Sequence, residues 1–129
     1  MQHQRLAHKI LSSPDSAAVV GTALLRAADR LKVPARIVAK AVGLSESSVS
    51  RLGAGEFKLT AGTKPFEHAL LFIRMFRSLD AITGGDETAA SGWLRAENAA
   101  LHARPLDLID HLPGMIDVLA YLDARRAIV

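Results

Sequence analysis

Residues 35–52 have the sequence ARIVAKAVGLSESSVSRL, and the spacing within this stretch decides the fold of the N-terminal half. Its apolar positions fit two short helices packed across a tight turn better than one continuous amphipathic helix; they are Val38, Val42, Leu44, Val49 and Leu52. Gly43 can adopt the left-handed conformation that ends the first helix, and Ser45 is a good N-cap for the second. Ala39 is small enough for two helices to cross closely. The stretch therefore predicts a helix-turn-helix unit.

The second helix of this unit is predicted from about Glu46 to Leu52, with Val49 turned inward beside Leu52. Its outward residues are three serines and one arginine, namely Ser47, Ser48, Ser50 and Arg51. Serine hydroxyls bond to bases or phosphates, and arginine can form two hydrogen bonds with guanine, so this face suits the major groove of DNA. Ser45, Glu46 and Ser47 are expected nearest to the base edges. The alternative is a serine-rich, solvated surface.

Two charged residues near the unit leave alternatives open. Glu46 is favourable at a helix N-terminus but repels phosphate, so it either accepts a hydrogen bond from a cytosine amino group or stays out of the groove. Lys58 lies in a loop with three glycines in ten residues, GAGEFKLTAG, at positions 53–62. It either contacts a phosphate or is an ordinary surface lysine.

Composition limits the class of protein. A chain of 129 residues fits one ordinary domain or two very small ones, and half of its residues are apolar, enough for a core. The chain has no cysteine, which excludes a disulfide framework and agrees with a reducing cytoplasm, where we expect the protein. The N-terminus has no continuous apolar segment typical of a signal peptide, and the apolar run at 69–73 is too short to span a membrane.

Charge divides the chain into two unlike halves. Residues 1–64 contain ten Lys and Arg against four acidic residues, a net charge of +6, whereas residues 65–129 contain six Arg against nine acidic residues, a net charge of −3. The positive half contains the helix-turn-helix, as binding to a polyanion requires. We place the boundary at the glycine-rich loop, with a DNA-binding domain over 1–62 and a helical dimerisation and partner-binding domain over 63–129.

Prolines mark predicted helix boundaries on both sides of the helix-turn-helix. Ser13, Pro14 and Asp15 form a helix start, and the helix should end near Lys32 because Val33 precedes a proline. Further along, glycines at 84 and 85 followed by acidic residues should end one helix and start another, which reaches about residue 94. Prolines at 105 and 113 should each begin a helix. The fold class predicted is all-α.

The segment PFEHALLFIRMFRSLDAI, at positions 65–82, is apolar around most of its helical circumference. A helix of this kind is buried on several sides. In so small a protein a second copy is an available cover, so we predict a homodimer through this helix. The residues assigned to that interface are Phe66, Leu70, Ile73 and Phe76. The alternative is burial entirely within one chain.

The C-terminal region carries a resemblance. In order along the chain, its motifs are Trp93-Leu94, Asn98, Leu101, PLDLI at 105–109, a glycine, and V-x-x-x-L at 118–122. This order and spacing resemble the shared C-terminal region of the Xre/MbcA/ParS-type antitoxins. The preceding helix-turn-helix is similar to the Xre part of the same proteins. Departures occur at Glu97, where the family often has proline, at His102-Ala103, where glycines are common, and at Ala127, where a glycine usually lies.

The resemblance implies a dimeric, all-helical antitoxin that binds operator DNA at its own promoter. It also implies a toxin partner with a RES domain, whose active site acts on NAD⁺ and is occluded by the antitoxin's C-terminal region. The toxin-facing candidates carried over are Tyr121, Arg125, Arg126 and Val129. Two arginines and a terminal carboxylate suit a cleft for an anionic dinucleotide. Alternatively, the arginines only complement the negative end of a helix dipole.

A catalytic interpretation lacks the required settings. His102, Asp107, Asp110 and His111 resemble an acid–base or metal cluster by composition, but His102 precedes a proline on a separate segment. His3 and His8 have no third ligand nearby. We therefore predict no enzyme activity, metal or cofactor. Two function classes remain, an antitoxin that also represses its operon and a stand-alone dimeric repressor without a toxin partner.

Overall fold

A computed structural model describes residues 14–128, which form seven helices and no strand. The helices are α1 (Pro14–Leu31), α2 (Ala35–Val42), α3 (Glu46–Gly53), α4 (Lys64–Ile82), α5 (Glu87–Arg95), α6 (Pro105–Leu108) and α7 (Leu112–Ile128). The all-α prediction is therefore confirmed for this part of the chain. The predicted candidates His3, His8 and Val129 lie outside the described residues.

The predicted turn chemistry is present at both junctions of the helix-turn-helix. Gly43 ends α2 with a φ of 79°, a left-handed conformation that a side chain would disfavour. Its N–H and that of Leu44 both donate to the carbonyl oxygen of Ala39, at 2.9 Å each. Ser45 then caps α3 by accepting a hydrogen bond from the backbone N–H of Ser48 at 3.0 Å.

Helix α1 ends where the sequence predicted. Its last residue is Leu31, and Lys32 adopts a φ of 56° before Val33 and the proline that precedes α2. Arg95 of α5 binds this end of α1, donating from Nη1 to the Leu31 carbonyl oxygen at 3.1 Å and from Nη2 to that of Lys32 at 2.6 Å. The last carbonyls of a helix have no partners within it, so a guanidinium is favourable there. Arg95 thereby joins the helix-turn-helix half to the C-terminal half.

Helix α4 is the central element of the core. It packs against α1 and α2 on the N-terminal side and against α7 on the C-terminal side. Its inward residues are buried and include Phe66, Ala69, Phe72, Ile73, Met75 and Leu79. One continuous set of buried apolar residues therefore extends through both halves. The predicted domain boundary after residue 62 stays a prediction.

This burial corrects part of the predicted dimer interface. Phe66 is only 2% exposed and Ile73 only 7% exposed within a single chain, so neither side chain is free to pack against a second copy. Their cover comes from helices of the same chain, the alternative that the sequence left open. Leu70 and Phe76 are half-buried and retain accessible surface.

The C-terminal helices begin at or next to the positions predicted from the sequence. Asp86 caps α5 by accepting from the backbone N–H of Ala89 at 3.0 Å, and Pro105 occupies the first turn of α6. Pro113 lies in the first turn of α7, which begins one residue earlier than predicted. The stripe of α7 that faces the core is buried and consists of Met115, Val118, Leu119 and Leu122. None of the helices between residues 14 and 128 combines the length and the apolar character needed to cross a bilayer.

Candidate functional site

Helix α3 presents a polar, solvent-exposed face. Five of its predicted DNA-contacting positions are exposed: Ser45, Glu46, Ser47, Ser50 and Arg51. The helix is fixed from beneath by Val49, which is 4% exposed, and by the cap at its N-terminus. A short, well-capped helix whose inner side is anchored in a core and whose outer side bears hydroxyls has the chemistry for reading a major groove.

Ser48 corrects the outward assignment made from sequence. It is buried, at 9% exposure, and its Oγ accepts hydrogen bonds from the Ser45 hydroxyl at 2.9 Å and from Arg51 Nη2 at 3.2 Å. Ser48 therefore does not face a groove directly. It positions Arg51, whose guanidinium also lies 5.9 Å from the ring centre of Phe57. The guanidinium is held in place before any DNA is bound, which reduces the entropy lost on binding.

The surface around α3 carries further positive charge. Lys58, predicted as a phosphate contact, is exposed in the loop after α3. The sequence reasoning missed Arg36 and Lys40, which are exposed on α2 and make no ion pair within residues 14–128. The only sequence signal for them was the +6 charge of the N-terminal half. Cations of this kind contribute affinity for phosphates without sequence specificity.

A second candidate surface lies at the end of α7. Tyr121 stacks against Trp93 of α5, with 5.9 Å between ring centres and 25° between ring planes. Arg125 Nη1 donates a hydrogen bond to the Tyr121 hydroxyl at 3.0 Å. The Cζ atom of the same guanidinium lies 5.9 Å from the centre of the Tyr121 ring. Hydrogen bonds to the phenolate, the larger effect from Arg125 and the smaller from Asn98, stabilise its charge and so lower the pKa of Tyr121. The structure thus places Tyr121 and Arg125 together.

Arg126 points elsewhere. Its Nη1 donates to the hydroxyl of Ser78 on α4 at 3.1 Å, and Ser78 is almost fully buried. One turn earlier, Asp123 of α7 forms an ion pair with Arg74 of α4. Arg126 therefore tethers the end of α7 to α4, and Arg125 alone of the predicted pair projects toward the Tyr121 side.

Two departures from the family pattern lie at positions where backbone conformation distinguishes glycine from other residues. His102 has a φ of 58°, in the left-handed region that favours glycine, so the glycine common in the family suits this turn. The turn is closed by the Asn98 N–H, which donates to the Ala103 carbonyl oxygen at 3.0 Å. At Ala127, alanine replaces the usual glycine and α7 continues to Ile128, since alanine favours the helix that glycine would weaken.

The acidic and histidine residues near α6 do not assemble into a site. Asp107 binds Arg104, with both carboxylate oxygens accepting hydrogen bonds at 2.9 Å, and this lowers the pKa of Asp107. Asp110 bonds instead to the neighbouring His111 at 2.8 Å. Within residues 14–128, no three histidine or carboxylate side chains lie together as metal ligands would.

The folded chain is therefore a helix-turn-helix protein with a second helical region behind the unit. Residues 10–74 match the Xre-like helix-turn-helix domain of antitoxins, and residues 78–127 match the Xre/MbcA/ParS C-terminal toxin-binding domain of antitoxins. The chain belongs to the Xre/MbcA/ParS-type antitoxin family. This confirms the resemblance seen in the sequence. Among curated proteins, none matches the chain.

The family assignment implies two kinds of partner for the chain. A helix-turn-helix domain implies DNA, and a toxin-binding domain implies a protein toxin. Both matched families are families of antitoxins and neither is a family of enzymes.

Proposed function

We propose that this protein is a type II antitoxin, acting in the cytoplasm, that neutralises a RES-domain toxin and represses its own operon. The main support for this proposal is that one chain, with one continuous core, matches both the antitoxin helix-turn-helix domain and the toxin-binding domain. The RES-domain toxin enters through the resemblance of the C-terminal region to antitoxins with such partners.

The DNA branch of the proposal assigns operator binding to α3. Arg51 is the proposed base-reading residue, since it is exposed at the end of a hydroxyl-bearing face and is oriented by Ser48. Ser45, Glu46, Ser47 and Ser50 border the groove, and Lys58 contacts phosphate.

The toxin branch assigns occlusion of the active site to the end of α7. Arg125 is exposed and supported by Tyr121, so its charge is available to a cleft that binds the phosphates of a dinucleotide. Arg126 contributes by anchoring the end of the helix on α4. We include Val129 among the residues proposed to contact the toxin.

We further propose a homodimer, with Leu70 and Phe76 as its remaining contacts on α4. Both are half-buried and border apolar grooves between α1 and α4. Dimeric helix-turn-helix proteins bind two half-sites related by the two-fold axis of the dimer. Light scattering on the purified protein measures this directly, and a monomeric mass would contradict the dimer.

Co-expression with the toxin encoded beside the chain tests the proposed function. The wild type should restore growth that the toxin arrests, and deletion of residues 125–129 should abolish that protection without changing promoter binding. Arg104→Ala is the control, because Arg104 is an exposed arginine of the same region that pairs with Asp107 away from the end of α7. Full protection after the deletion would contradict the occluding tail.

The alternative is a stand-alone dimeric repressor. It would bind its promoter in a gel-shift assay, whereas no neighbouring gene would arrest growth or co-purify with the protein. The match of residues 78–127 to a toxin-binding domain favours the antitoxin.

A further inference from the structure

The outward face of α7 carries apolar side chains where a surface helix normally has charged ones. Leu112 is 42% exposed and Ile116 is 47% exposed, and they are two of the three large hydrophobic residues exposed among residues 16–127, for which side-chain burial is described. Their spacing of four places them side by side on one face of the helix. Ala120 and Ala124 continue this face toward the C-terminus and are also exposed.

The neighbouring face of α7 is already in the core of the protein. Met115, Val118 and Leu119 are at most 4% exposed. Helix α7 is therefore apolar on two sides, although only one side is covered within a single chain. A helix that is apolar around its circumference is normally buried on all of those sides, which indicates a partner on the outward face.

Two carboxylates lie on or beside this face. Asp117 is exposed next to Ile116, and Asp123, two turns after Ile116 on the same side of the helix, is neutralised by Arg74 of α4. Arg125 lies on the Tyr121 side. An apolar centre with polar residues at the rim is the usual composition of a protein interface. Small residues such as Ala120 also allow close approach of a partner's backbone.

We propose that the toxin packs on this face of α7, with Leu112 and Ile116 as its apolar anchors. The occupant is the toxin because the face belongs to the segment that matches a toxin-binding domain, residues 78–127. An amphipathic helix that inserts anchors at i and i+4 into a groove is a recurrent mode of recognition. The inference rests on the proposed antitoxin function and adds to it the surface that supplies most of the affinity.

Ile116→Glu tests this surface, and Thr60→Glu is the control. Thr60 is an uncharged, exposed residue of the loop after α3, and it lies outside both the toxin-binding segment and the grooves assigned to the dimer. With the purified product of the adjacent toxin gene as the probe, calorimetry should show at least a roughly 30-fold weaker affinity for Ile116→Glu, as at an interface hot spot. Thr60→Glu should bind the toxin as the wild type does. Ile116→Ala should weaken binding in the same direction.

Three further measurements distinguish a toxin-binding face from a folding defect and from a dimer interface. The thermal midpoint, promoter affinity and mass of the antitoxin alone should be the same for Ile116→Glu and for the wild type. A change in that mass would assign the face to a second copy and overturn the inference. Unchanged toxin affinity of Ile116→Glu, or an equal loss in Thr60→Glu, would overturn it as well. A wild type that does not bind the toxin would overturn the proposed function itself, and this inference with it.

Discussion

Gly114 lets α7 pack closely against the turn that follows α6, so we expect Gly114→Ala to destabilise the protein. An added Cβ would lie inside the contact distance of the Leu108 carbonyl oxygen, and 2.8 Å from both the Leu108 carbonyl carbon and His111 Nε2. The carbonyl belongs to the backbone and cannot rotate away as a flexible side chain could. Relief requires α7 to shift relative to α6.

The magnitude follows from two opposing terms. Overpacking of this kind costs about 3 kcal/mol, the upper part of the range observed in packed cores. Alanine in a helix is favoured over glycine by about 1 kcal/mol. The net loss is therefore about 2 kcal/mol, which corresponds to a decrease of roughly 8 °C in Tm for a chain of this size.

Thermal unfolding followed by circular dichroism measures this effect, and Gly92→Ala is its control. Gly92 is an exposed residue of α5, and a Cβ added there meets no atom within 4 Å. The same substitution should therefore raise the Tm by roughly 4 °C at that position, since only the helix propensity term of about 1 kcal/mol applies. A Gly114→Ala protein as stable as the wild type, or more stable, would refute the steric argument.

Three other substitutions probe separate contacts. Arg51→Ala should weaken promoter binding by about tenfold or more in fluorescence anisotropy, because a base contact is lost, and it should leave toxin affinity unchanged. Equal promoter affinity would show that Arg51 does not contact a base. Arg95→Met should lower the free energy of unfolding, measured in urea, by about 1–3 kcal/mol, because the carbonyls of Leu31 and Lys32 lose a charged donor. An unchanged urea midpoint would show that this contact is energetically neutral. Arg125→Ala should raise the pKa of Tyr121, the single tyrosine of the chain, toward its ordinary value of 10.0 in an ultraviolet titration, because the hydrogen bond that lowers this pKa most is lost. An unchanged pKa would contradict the contact.

The helix-turn-helix was predictable because its determinants are local. Gly43 and Ser45 specify the turn through backbone conformation and capping, which depend on neighbours within a few residues. The helix starts at Asp86 and Pro105 have the same origin. The resemblance of the C-terminal region rested on order and spacing, which are also properties of the sequence alone.

The candidate sites were predicted less completely because side-chain direction depends on distant elements. Ser48 has the same chemistry as Ser47, yet only Ser47 is exposed, since the short helix is rotated by its packing on the core. Likewise, adjacent Arg125 and Arg126 have different partners because α4 lies beside only one of them. Helical periodicity places Ser48 on the side of Leu52 and Arg126 on the side of Leu122, but the partner that each side chain contacts is set by the packing of other helices.

The sequence by itself determined the helix-turn-helix, the helical character of the chain, the separation of charge between its halves and its family. Tertiary structure decided which apolar residues are covered by the same chain. Phe66 is covered by neighbouring helices, whereas Ile116, equally apolar, remains at the surface. The physical reason is that hydrophobic burial is non-directional: a sequence shows that an apolar side chain needs a cover, and only the packed arrangement of helices shows whether the chain itself supplies one.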